Sequence, residues 1–589
     1  MCGIYGVINR KVRREQAMEC LDTMIHRGPD GFGLWQEDGV TLGHRRLAIL
    51  DLSSAGSQPM SYANERYWMT FNGEIYNFIE IREELQHKGY TFRGNSDSEV
   101  IMAAYCEWKE KCVDRFNGMW TFAIWDRQEK SLFLSRDRFG VKPLYYTEFP
   151  DGGFAFASEM KALLPLLEKV EPNKEMFDRY FADNHYESQP ECLIKGIKRF
   201  PAGSYAWIRN GKTEITRFWN TLDHLIEVPD TYEEQVEQFR ELFLDACKIR
   251  MRSDVTLGTG LSGGLDSSAT ICAMSYISRN CADERANKDW QHAYVACFPG
   301  TDLDETKYAK QVTDYLGIRH TFLTIDDAVP EREFLRQLYC FEELWGNPQV
   351  PMMELYKKER ELGTTVSLDG HAADELFAGY GFDVLKAYPD AKGKAEIDQI
   401  TMAYLNQRSE MGYDPSSAEF KRQRNKLYRD YMTKYYAKKL LGRADVSSAY
   451  ADHPNWKKLD NLNKVLFVST HETILPTLLR NYDRDSMASG VEIRMPFLDY
   501  RIVEFAFSIG WKSKLHGGFS KSIVRDACAD FMPHDIAYRR TKLGFNAPIL
   551  DWMRGSYRQF FEDTVADPAF ANCSLIDDAA GVRADLAKF

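Results

Sequence analysis

Cys2, the second residue of the chain, is positioned to act as a nucleophile once Met1 is removed. One residue would then supply two groups for one reaction. Its thiolate would attack, and its α-amino group, with a pKa of about 8, could act as the base through a water. A cysteine at the second position could also be incidental. The interpretation of Cys2 as a nucleophile therefore depends on the rest of the sequence.

The segment LSGGLDSS, residues 261–268, has the composition of a phosphate-binding loop. Its two glycines permit a tight turn with inward-pointing amides, and its last two serines open a predicted helix whose positive end faces a bound anion. Asp266 could hold Mg²⁺ between phosphates. The segment has neither the GKS/T of a Walker A loop nor the GxGxxG pattern. Taken alone, it also fits a plain strand–helix connection.

Short extended runs dominate the first third of the chain, up to about residue 205, and turn residues separate them. Several of these runs alternate polar and apolar residues, which is typical of strands. Helical patterns interrupt them at about 14–27, 78–89 and 98–116. These patterns predict a mostly antiparallel α+β domain over residues 2–205, and this domain would carry Cys2.

Strands alternate with helices from about residue 235, which indicates βαβ units and a parallel sheet. The loop LSGGLDSS directly follows the first of these strands. We predict a junction over residues 206–234 and a second domain over 235–589, which is mainly helical after about residue 385. The four strand-like runs are 255–261, 293–298, 320–325 and 364–370.

The composition is that of an ordinary globular protein with a net negative charge. The 589 residues include 75 Lys+Arg and 87 Asp+Glu, a formal net charge of −12, which argues against nucleic-acid binding through a basic face. No apolar run is long enough to span a membrane, and the first residues do not form a signal peptide. The twelve cysteines form no CxxC pair. We therefore expect a reduced, cytoplasmic protein with no membrane partner.

An ordered set of motifs in the first 205 residues resembles the glutaminase domain of class II glutamine amidotransferases, which use an N-terminal nucleophile. The set as a whole is specific, although each motif alone would be ordinary. The motifs are MCGIYGV, HRGPD (26–30), HRRL (44–47), FNGEIYN (71–77) and SDSEV (96–100).

This resemblance implies a role for each matching residue in glutamine hydrolysis. The side chain of Asn72 and the backbone N–H of Gly73 would form the oxyanion hole. Arg46 would hold the α-carboxylate of glutamine and Asp97 its ammonium group. Glu74 lies beside the same loop and is expected at the glutamine site.

Later motifs extend the resemblance to glutamine-hydrolysing asparagine synthetases, over residues 1 to about 555. The loop itself is similar to the pyrophosphate-binding loop of the ATP-pyrophosphatase family. The further motifs are DGHAADELFAGY (369–380), SMASGVEIRMPFLD (486–499), GGFSKSIVRDA (517–527) and RRTKLGFNAPILDW (539–552).

The resemblance implies a fold and a reaction. The fold would be an N-terminal nucleophile-type α/β/β/α sandwich followed by a Rossmann-like parallel-sheet synthetase domain with helical additions. ATP and a substrate carboxylate, most simply L-aspartate, would give an acyl-AMP and pyrophosphate. Ammonia from glutamine would then attack the acyl-AMP. The expected ligands are thus glutamine, ATP, Mg²⁺ and a carboxylate acceptor. The oligomeric state is left open, with a homodimer as one outcome.

The same resemblance assigns residues to the synthetase site. Asp266 and Asp374 match the ligands of Mg²⁺-pyrophosphate, and Lys521 matches a lysine that neutralises charge during adenylation and amide formation. Glu375 belongs to the same motif as Asp374. The expected ATP and pyrophosphate site comprises Leu261, Ser262, Gly263, Gly264, Asp266, Ser267, Ser268, Asp369 and Gly370.

The sequence departs from the family pattern at DGHAADE, where typical members read SGEGSDE or SGDGGDE. Asp369 replaces a serine, and His371 replaces an acidic residue at a position that takes part in acyl transfer in related β-lactam synthetases. Histidine can act as a base near neutral pH. A tolerated change with His371 merely hydrogen-bonded nearby explains the residue equally well. The acceptor is therefore open between L-aspartate and another carboxylate, such as a sugar acid, a peptide or a natural-product intermediate.

Two further segments have both a functional and a structural interpretation. The basic, tyrosine-rich run 421–439 could contact an anionic partner, but a solvated amphipathic helix is the favoured interpretation. The segment RDRFGVKPLY (136–145) could line a path for ammonia or have a structural role.

Other protein classes fit the sequence less well. β-Lactam synthetases lack the N-terminal nucleophile, and phosphoribosyl or hexosamine amidotransferases lack SGGLDSS. A catalytically inactive regulatory subunit is disfavoured, because the residues that the resemblance assigns to both sites are present in the sequence.

Overall fold

The structure is a computed structural model that describes residues 1–280, 285–325, 331–344, 349–443, 445–542, 544 and 546–588. The strands of the first part are, in chain order, β1 (Gly3–Ile8), β2 (Gly31–Glu37), β3 (Val40–Arg46), β4 (Met60–Tyr62), β5 (Tyr67–Ile75), β6 (Gly118–Asp126), β7 (Ser131–Arg136), β8 (Tyr145–Glu148), β9 (Phe154–Ala157), β10 (Lys198–Arg199), β11 (Ser204–Arg209) and β12 (Lys212–Arg217). Its helices are α1 (Arg14–Asp22), α2 (Phe78–His87), α3 (Asp97–Trp108), α4 (Cys112–Arg115) and α5 (Lys174–Asp183).

Two antiparallel sheets form the first part of the molecule. The strand order is β10-β8-β9-β1-β3-β2 in one sheet and β12-β11-β7-β6-β5-β4 in the other. The sheets face each other through contacts of β1 and β3 with β5, and α1 covers the first sheet while α3 packs on the second. Strand β6, with the sequence GMWTFAIWD, is buried almost throughout because layers cover both of its faces. The predicted α/β/β/α sandwich is thus confirmed.

A parallel sheet forms the centre of the second part, as predicted. It contains β13 (Leu257–Gly260), β14 (His292–Cys297), β15 (Arg319–Thr324), β16 (Val366–Leu368) and β17 (Glu492–Arg494). Among the described residues the order is β15-β14-β13-β16-β17, and every pair is parallel. The order reverses at β13, between β14 and β16. Ligands of open parallel sheets bind beyond the carboxyl ends of the strands at such a reversal.

Helices surround this sheet and continue to the end of the described chain. They are α6 (Tyr232–Arg250), α7 (Leu265–Asn280), α8 (Thr306–Leu316), α9 (Glu331–Phe341), α10 (Gln349–Glu361), α11 (Ala373–Phe377), α12 (Gly381–Val384), α13 (Lys394–Asn406), α14 (Ala418–Leu440), α15 (Asn461–His471), α16 (Ile474–Met487), α17 (Tyr500–Ser508), α18 (Trp511–Lys514), α19 (Ser522–Cys528), α20 (His534–Ala537), α21 (Ile549–Arg554), α22 (Arg558–Ala566), α23 (Pro568–Ala571) and α24 (Ala579–Leu586). Within the described ranges, no helix combines the length and apolarity needed to cross a membrane.

Two segments differ in detail from the sequence-based expectations, and a third agrees with them. The helix expected over 98–116 ends at Trp108, because Lys109 takes a left-handed φ of 53°. The first fold extends beyond residue 205, since β11 and β12 belong to its second sheet and end at Arg217. The basic run 421–439 lies in α14, where Phe420 and Met432 are the buried residues. The rest of that helix is at least partly exposed, in line with a solvated amphipathic helix.

Candidate active sites

Cys2 lies just before β1, in a narrow pocket between the two sheets of the first part. The residues expected to bind glutamine lie around it, although they come from strands β3 and β5 and from the start of helix α3. Burial raises the pKa of the Cys2 thiol above its ordinary value. Residues lining the pocket with Cys2 include Arg46, Gly73, Glu74 and Asp97.

Asn72 and Gly73 occupy the strand end that faces Cys2. The Asn72 Oδ1 atom accepts a hydrogen bond from the Cys2 backbone nitrogen at 2.8 Å, while its buried Nδ2 has no hydrogen-bond partner among the described residues. Gly73 has a φ of 153°, and a Cβ here would lie 2.1 Å from the Met119 carbonyl oxygen. Only glycine fits this position. The Nδ2 donor of Asn72 is therefore available for a ligand beside Cys2.

Arg46 and Asp97 provide opposite charges on the walls of this pocket. The guanidinium of Arg46 is held by the backbone oxygens of Ser53, at 3.0 Å, and Asp51, at 2.5 Å. The Oδ2 atom of Asp97 accepts the backbone N–H of Ile75 at 2.9 Å. Burial raises the pKa of Asp97 to about 6, although the Ile75 hydrogen bond opposes this shift.

Glu74 faces the second part of the molecule. One of its carboxylate oxygens lies 3.3 Å from Arg494 Nη2, and Arg494 Nε in turn donates to Glu492 at 2.7 Å. Glu492 also pairs with the α-amino group of Met1 at 2.9 Å, and both groups are almost fully buried. Strand β17 therefore supplies charged groups to the Cys2 pocket.

A second cavity, of about 430 Å³, lies beyond the carboxyl ends of β13 and β16. The glycine–serine loop turns into it after β13, with Gly263 at a φ of 79°, and a Cβ there would lie 2.5 Å from the backbone nitrogen of Ala309. The expected loop residues that line the cavity are Leu261, Ser262, Gly264, Asp266 and Ser267, joined by Asp369 and Gly370. Gly263 and Ser268 do not line it; Ser268 is fully buried behind the loop.

The Lys521 ammonium lies between the carboxylates of Asp266 and Asp374, which are the expected Mg²⁺ ligands. Its Nζ lies 2.5 Å from Asp266 and also contacts Asp374, which additionally contacts Lys542. Burial alone would lower the pKa of Lys521, but Asp266 and Asp374 outweigh it and hold this pKa above its ordinary value. Lys521 precedes α19 with a φ of 53°. Such a left-handed lysine is costly and is typical of functional sites.

The carboxylates of Asp266 and Asp374 fit a magnesium ion held jointly with phosphate. Asp266 has a buried Oδ1 atom without a hydrogen-bond partner in the described part of the chain, whereas Oδ1 of Asp374 pairs with Lys521 and Lys542. Mg²⁺ is usually bound by one or two carboxylates together with substrate phosphates and water. Among the described residues, no group of three or more His, Cys, Asp or Glu side chains could hold a metal ion by itself.

His371 projects into the same cavity beside Asp369. Its ring stacks on Tyr482 with centroids 3.7 Å apart, and its Nε2 lies 3.6 Å from Asp369 Oδ2. Asp369 is fixed by hydrogen bonds from Gly260 N at 3.0 Å and Tyr356 Oη at 2.7 Å. Burial opposes ionisation of Asp369, but the nearby imidazole of His371 and the hydrogen bond from Tyr356 keep its pKa below the ordinary value.

Two protein families match the two parts of the chain. The glutamine amidotransferase domain family matches residues 1–219, and the asparagine synthase family matches residues 238–584. The chain belongs to the glutamine-hydrolysing asparagine synthetase family. It is therefore a ligase that forms a carbon–nitrogen bond with glutamine as the nitrogen donor.

Three curated asparagine synthetases align over nearly the whole chain. The glutamine-hydrolysing synthetase 1 of Bacillus subtilis is 30% identical, over 96% of this chain and 90% of its own. Synthetase 3 of the same organism is 32% identical, over 92% and 86%. Synthetase B of Escherichia coli is 28% identical, over 92% and 81%.

Several residues at the two sites had no role predicted from the sequence. Arg27 donates to the Cys2 carbonyl oxygen at 3.1 Å and pairs with Asp483 of α16 at 2.7 Å. The motif HRGPD pointed to Arg27, but nothing in the sequence pointed to its partner. In the second cavity Arg539 pairs with Glu305 at 2.6 Å. Arg539 and Lys542 both lie in the motif RRTKLGFNAPILDW, which was noted without a role for either.

Proposed function

We propose that this protein converts L-aspartate to L-asparagine, using glutamine as the nitrogen source and ATP to activate the side-chain carboxylate. AMP and pyrophosphate would be the other products. The observation that carries this proposal is the Lys521 ammonium between Asp266 and Asp374 at the end of the glycine–serine loop. The family membership and the second complete site around Cys2 support it.

Glutamine hydrolysis would begin at the Cys2 thiolate after Met1 is removed. Its Sγ attacks the side-chain amide carbon, and the oxyanion receives hydrogen bonds from Asn72 Nδ2 and the Gly73 N–H. Ammonia leaves with a proton from the Cys2 α-amino group, and water then cleaves the thioester. Arg46 and Asp97 bind the α-carboxylate and the ammonium group of glutamine. Burial of the thiol opposes thiolate formation, so the adjacent α-amino group is needed as the base.

Adenylation would take place in the second cavity. The amides of the glycine–serine loop and the start of α7 bind the pyrophosphate part of ATP. Lys521 balances the charge that develops on the phosphates. Asp266 and Asp374 would hold Mg²⁺, which neutralises phosphate charge when bound. His371 accepts the proton that the attacking ammonia loses, and Asp369 orients the imidazole of His371.

The substrate assay tests the whole proposal. Purified protein is incubated with glutamine, ATP and Mg²⁺, with and without L-aspartate. Amide products are identified by mass spectrometry, and AMP and pyrophosphate are measured in the same sample. We expect asparagine only with aspartate, in amounts equal to AMP. If glutamine is hydrolysed but no asparagine appears, aspartate is not the acceptor. The intact mass of the protein tests whether Met1 has been removed.

Glutamine binding should weaken in acid if Asp97 binds the ammonium group. The pKa of Asp97 is raised to about 6 by burial, so the carboxyl group gains a proton and loses its charge as the pH falls through this value. We expect KM for glutamine to rise about tenfold per pH unit below the pKa. In Asp97→Asn, KM should be high at every pH. A wild-type KM that stays constant between pH 7 and 5 would exclude this role.

His371 should affect amide formation more than adenylation if it accepts a proton from ammonia. His371→Phe retains an aromatic ring to stack on Tyr482 but removes the Nε2 atom. We expect ammonia-dependent asparagine synthesis to fall roughly 10²-fold, as for the loss of a general base. ATP–pyrophosphate exchange with aspartate, which reports adenylation alone, should remain close to wild type. An equal loss in both assays would indicate a structural role for His371.

A further inference from the structure

A third cavity, of about 790 Å³, lies between the two parts of the molecule. Its walls come from the loops after β7 and β10 and the end of β12 on one side, and from α15 and α16 on the other. It shares no lining residue with the Cys2 pocket or the ATP cavity. Its size lies within the range of cavities that bind small organic molecules.

Positive charge dominates this interdomain cavity. Two of its acidic residues are already paired with arginine, since Glu187 binds Arg480 and Asp483 binds Arg27. In contrast, Arg138, Arg199 and Arg217 form no salt bridge with any described carboxylate. None of the three guanidinium groups is held in a direct ion pair among the described residues, although the charge of Glu187 acts on Arg199 and that of Asp114 acts on Arg138.

Two of these arginines also have an unused donor. Arg138 and Arg199 are 6% and 8% exposed, and within the described chain no acceptor pairs with Arg138 Nε or Arg199 Nη2. The other Arg199 nitrogen, Nη1, donates to the Gln189 carbonyl oxygen at 3.3 Å, which fixes the guanidinium in place. Buried donors without acceptors are rare and costly, so they point to a ligand that supplies the acceptor. Arg217 is exposed at the end of β12, where it borders the cavity.

We propose that this cavity binds a small organic phosphate. The guanidinium group forms paired hydrogen bonds with phosphate oxygens, and a phosphate monoester carries nearly two negative charges at neutral pH. Arg199 and Arg217 would bind the phosphate group. The organic part would lie against the aromatic wall, which includes Phe139, Phe200 and Trp219.

Helix α16 connects this cavity to both catalytic sites. Leu479, Arg480 and Asp483 line the interdomain cavity, whereas Asn481, Tyr482 and Asp485 on another face of the helix line the ATP cavity. Residues three or four apart share one face of a helix, so each of these two sets forms its own face of α16. A shift of α16 therefore moves a wall of the interdomain cavity and a wall of the ATP cavity together.

The same helix reaches the two reacting centres through its side chains. Asp483 pairs with Arg27, which binds the Cys2 carbonyl oxygen. Tyr482 stacks on His371. A ligand that alters the position of α16 would therefore change glutamine hydrolysis and amide formation. This consequence rests on the proposed function, whereas binding of the phosphate does not.

The binding test uses ribose 5-phosphate, with ribose and citrate as comparison ligands, in isothermal titration calorimetry. Arg217→Glu reverses the charge at the cavity mouth. Arg209→Glu is the matched control, because Arg209 is an exposed arginine on the neighbouring strand β11 that does not line the cavity. The ATP cavity is intact in all three proteins, so any phosphate bound there contributes equally to each.

We expect wild type and Arg209→Glu to bind ribose 5-phosphate equally and Arg217→Glu to bind at least tenfold more weakly. Ribose should not bind at this site. Arg199→Gln, tested in the same way, should also lose binding, and its unchanged glutaminase activity without ligand would show that it is folded. Equal binding by Arg217→Glu and the control would overturn the proposal, as would the absence of binding to wild type. Binding of citrate in place of ribose 5-phosphate would show a carboxylate site and overturn the phosphate assignment.

The coupling test measures glutamine hydrolysis, without ATP, as ribose 5-phosphate is added. We expect kcat/KM to change at least twofold in wild type and in Arg209→Glu, and to stay constant in Arg217→Glu. Binding without any change in rate would retain the phosphate site but remove the role of α16. A protein that binds the phosphate but never hydrolyses glutamine would contradict the proposed function and leave the site itself intact.

Discussion

Cys2→Ala is expected to abolish glutamine-dependent asparagine synthesis, with a fall of more than about 10³-fold, because no other group can form the thioester. Synthesis from ammonium salts should continue at the wild-type rate. The reason is the separation of the sites: Cys2 lies in the first part, and no residue of its pocket lines the ATP cavity. The measurement is asparagine formed with glutamine or with ammonium chloride as the only nitrogen source.

A matched control comes from another partly exposed cysteine. Cys106 lies in α3 and is not part of the Cys2 pocket, so Cys106→Ala should retain both activities. Loss of both activities in Cys2→Ala, in a protein that folds normally, would contradict the assignment of glutamine hydrolysis and asparagine synthesis to two separate sites. Retention of glutamine-dependent synthesis would remove Cys2 as the nucleophile.

Lys521→Met is expected to reduce adenylation by about 10²- to 10³-fold, as for the removal of a group that stabilises transition-state charge. Methionine retains most of the length and the apolar stem but lacks the ammonium group. Without it, Asp266 loses its ion pair and Asp374 retains the contact with Lys542 alone among the described residues. The measurement is ATP–pyrophosphate exchange in the presence of aspartate.

Glutamine hydrolysis provides the internal control for this variant. It should remain unchanged, because Lys521 lies outside the Cys2 pocket. Lys512→Met, which alters an exposed lysine on α18, should leave both activities unchanged. If the exchange rate of Lys521→Met matches that of wild type, the electrostatic role of Lys521 is wrong. If Lys521→Met does not fold, Asp266→Asn tests the same cluster and should also lose exchange.

The sequence by itself determined the two chemistries and their order along the chain. Their main signals are local: the cysteine after Met1, the Asn–Gly pair at the end of β5, and the glycine–serine loop between β13 and α7. Such signals can be recognised in the sequence without knowledge of side-chain packing, because each depends on a few neighbouring residues. Alternating strands and helices likewise predicted a parallel sheet, since the pattern of buried residues follows the period of each element.

Element boundaries were less well determined. The helix expected over 98–116 ends early because Lys109 has a positive φ of 53°, which no residue pattern indicated. The first fold continues to Arg217 because β12 pairs with β11, and this pairing depends on contacts between strands rather than on local preference.

Only the tertiary structure decided which charges meet. The sequence offers 87 acidic residues, yet the packing of α16 against the first part selects Asp483 as the partner of Arg27. In the same way, β17 brings Arg494 to Glu74, and the start of α19 places Lys521 against Asp266. The interdomain cavity also exists only after both parts have packed together. Pairings between residues distant in sequence depend on the three-dimensional arrangement of whole elements, so a single sequence carries no local signal for them.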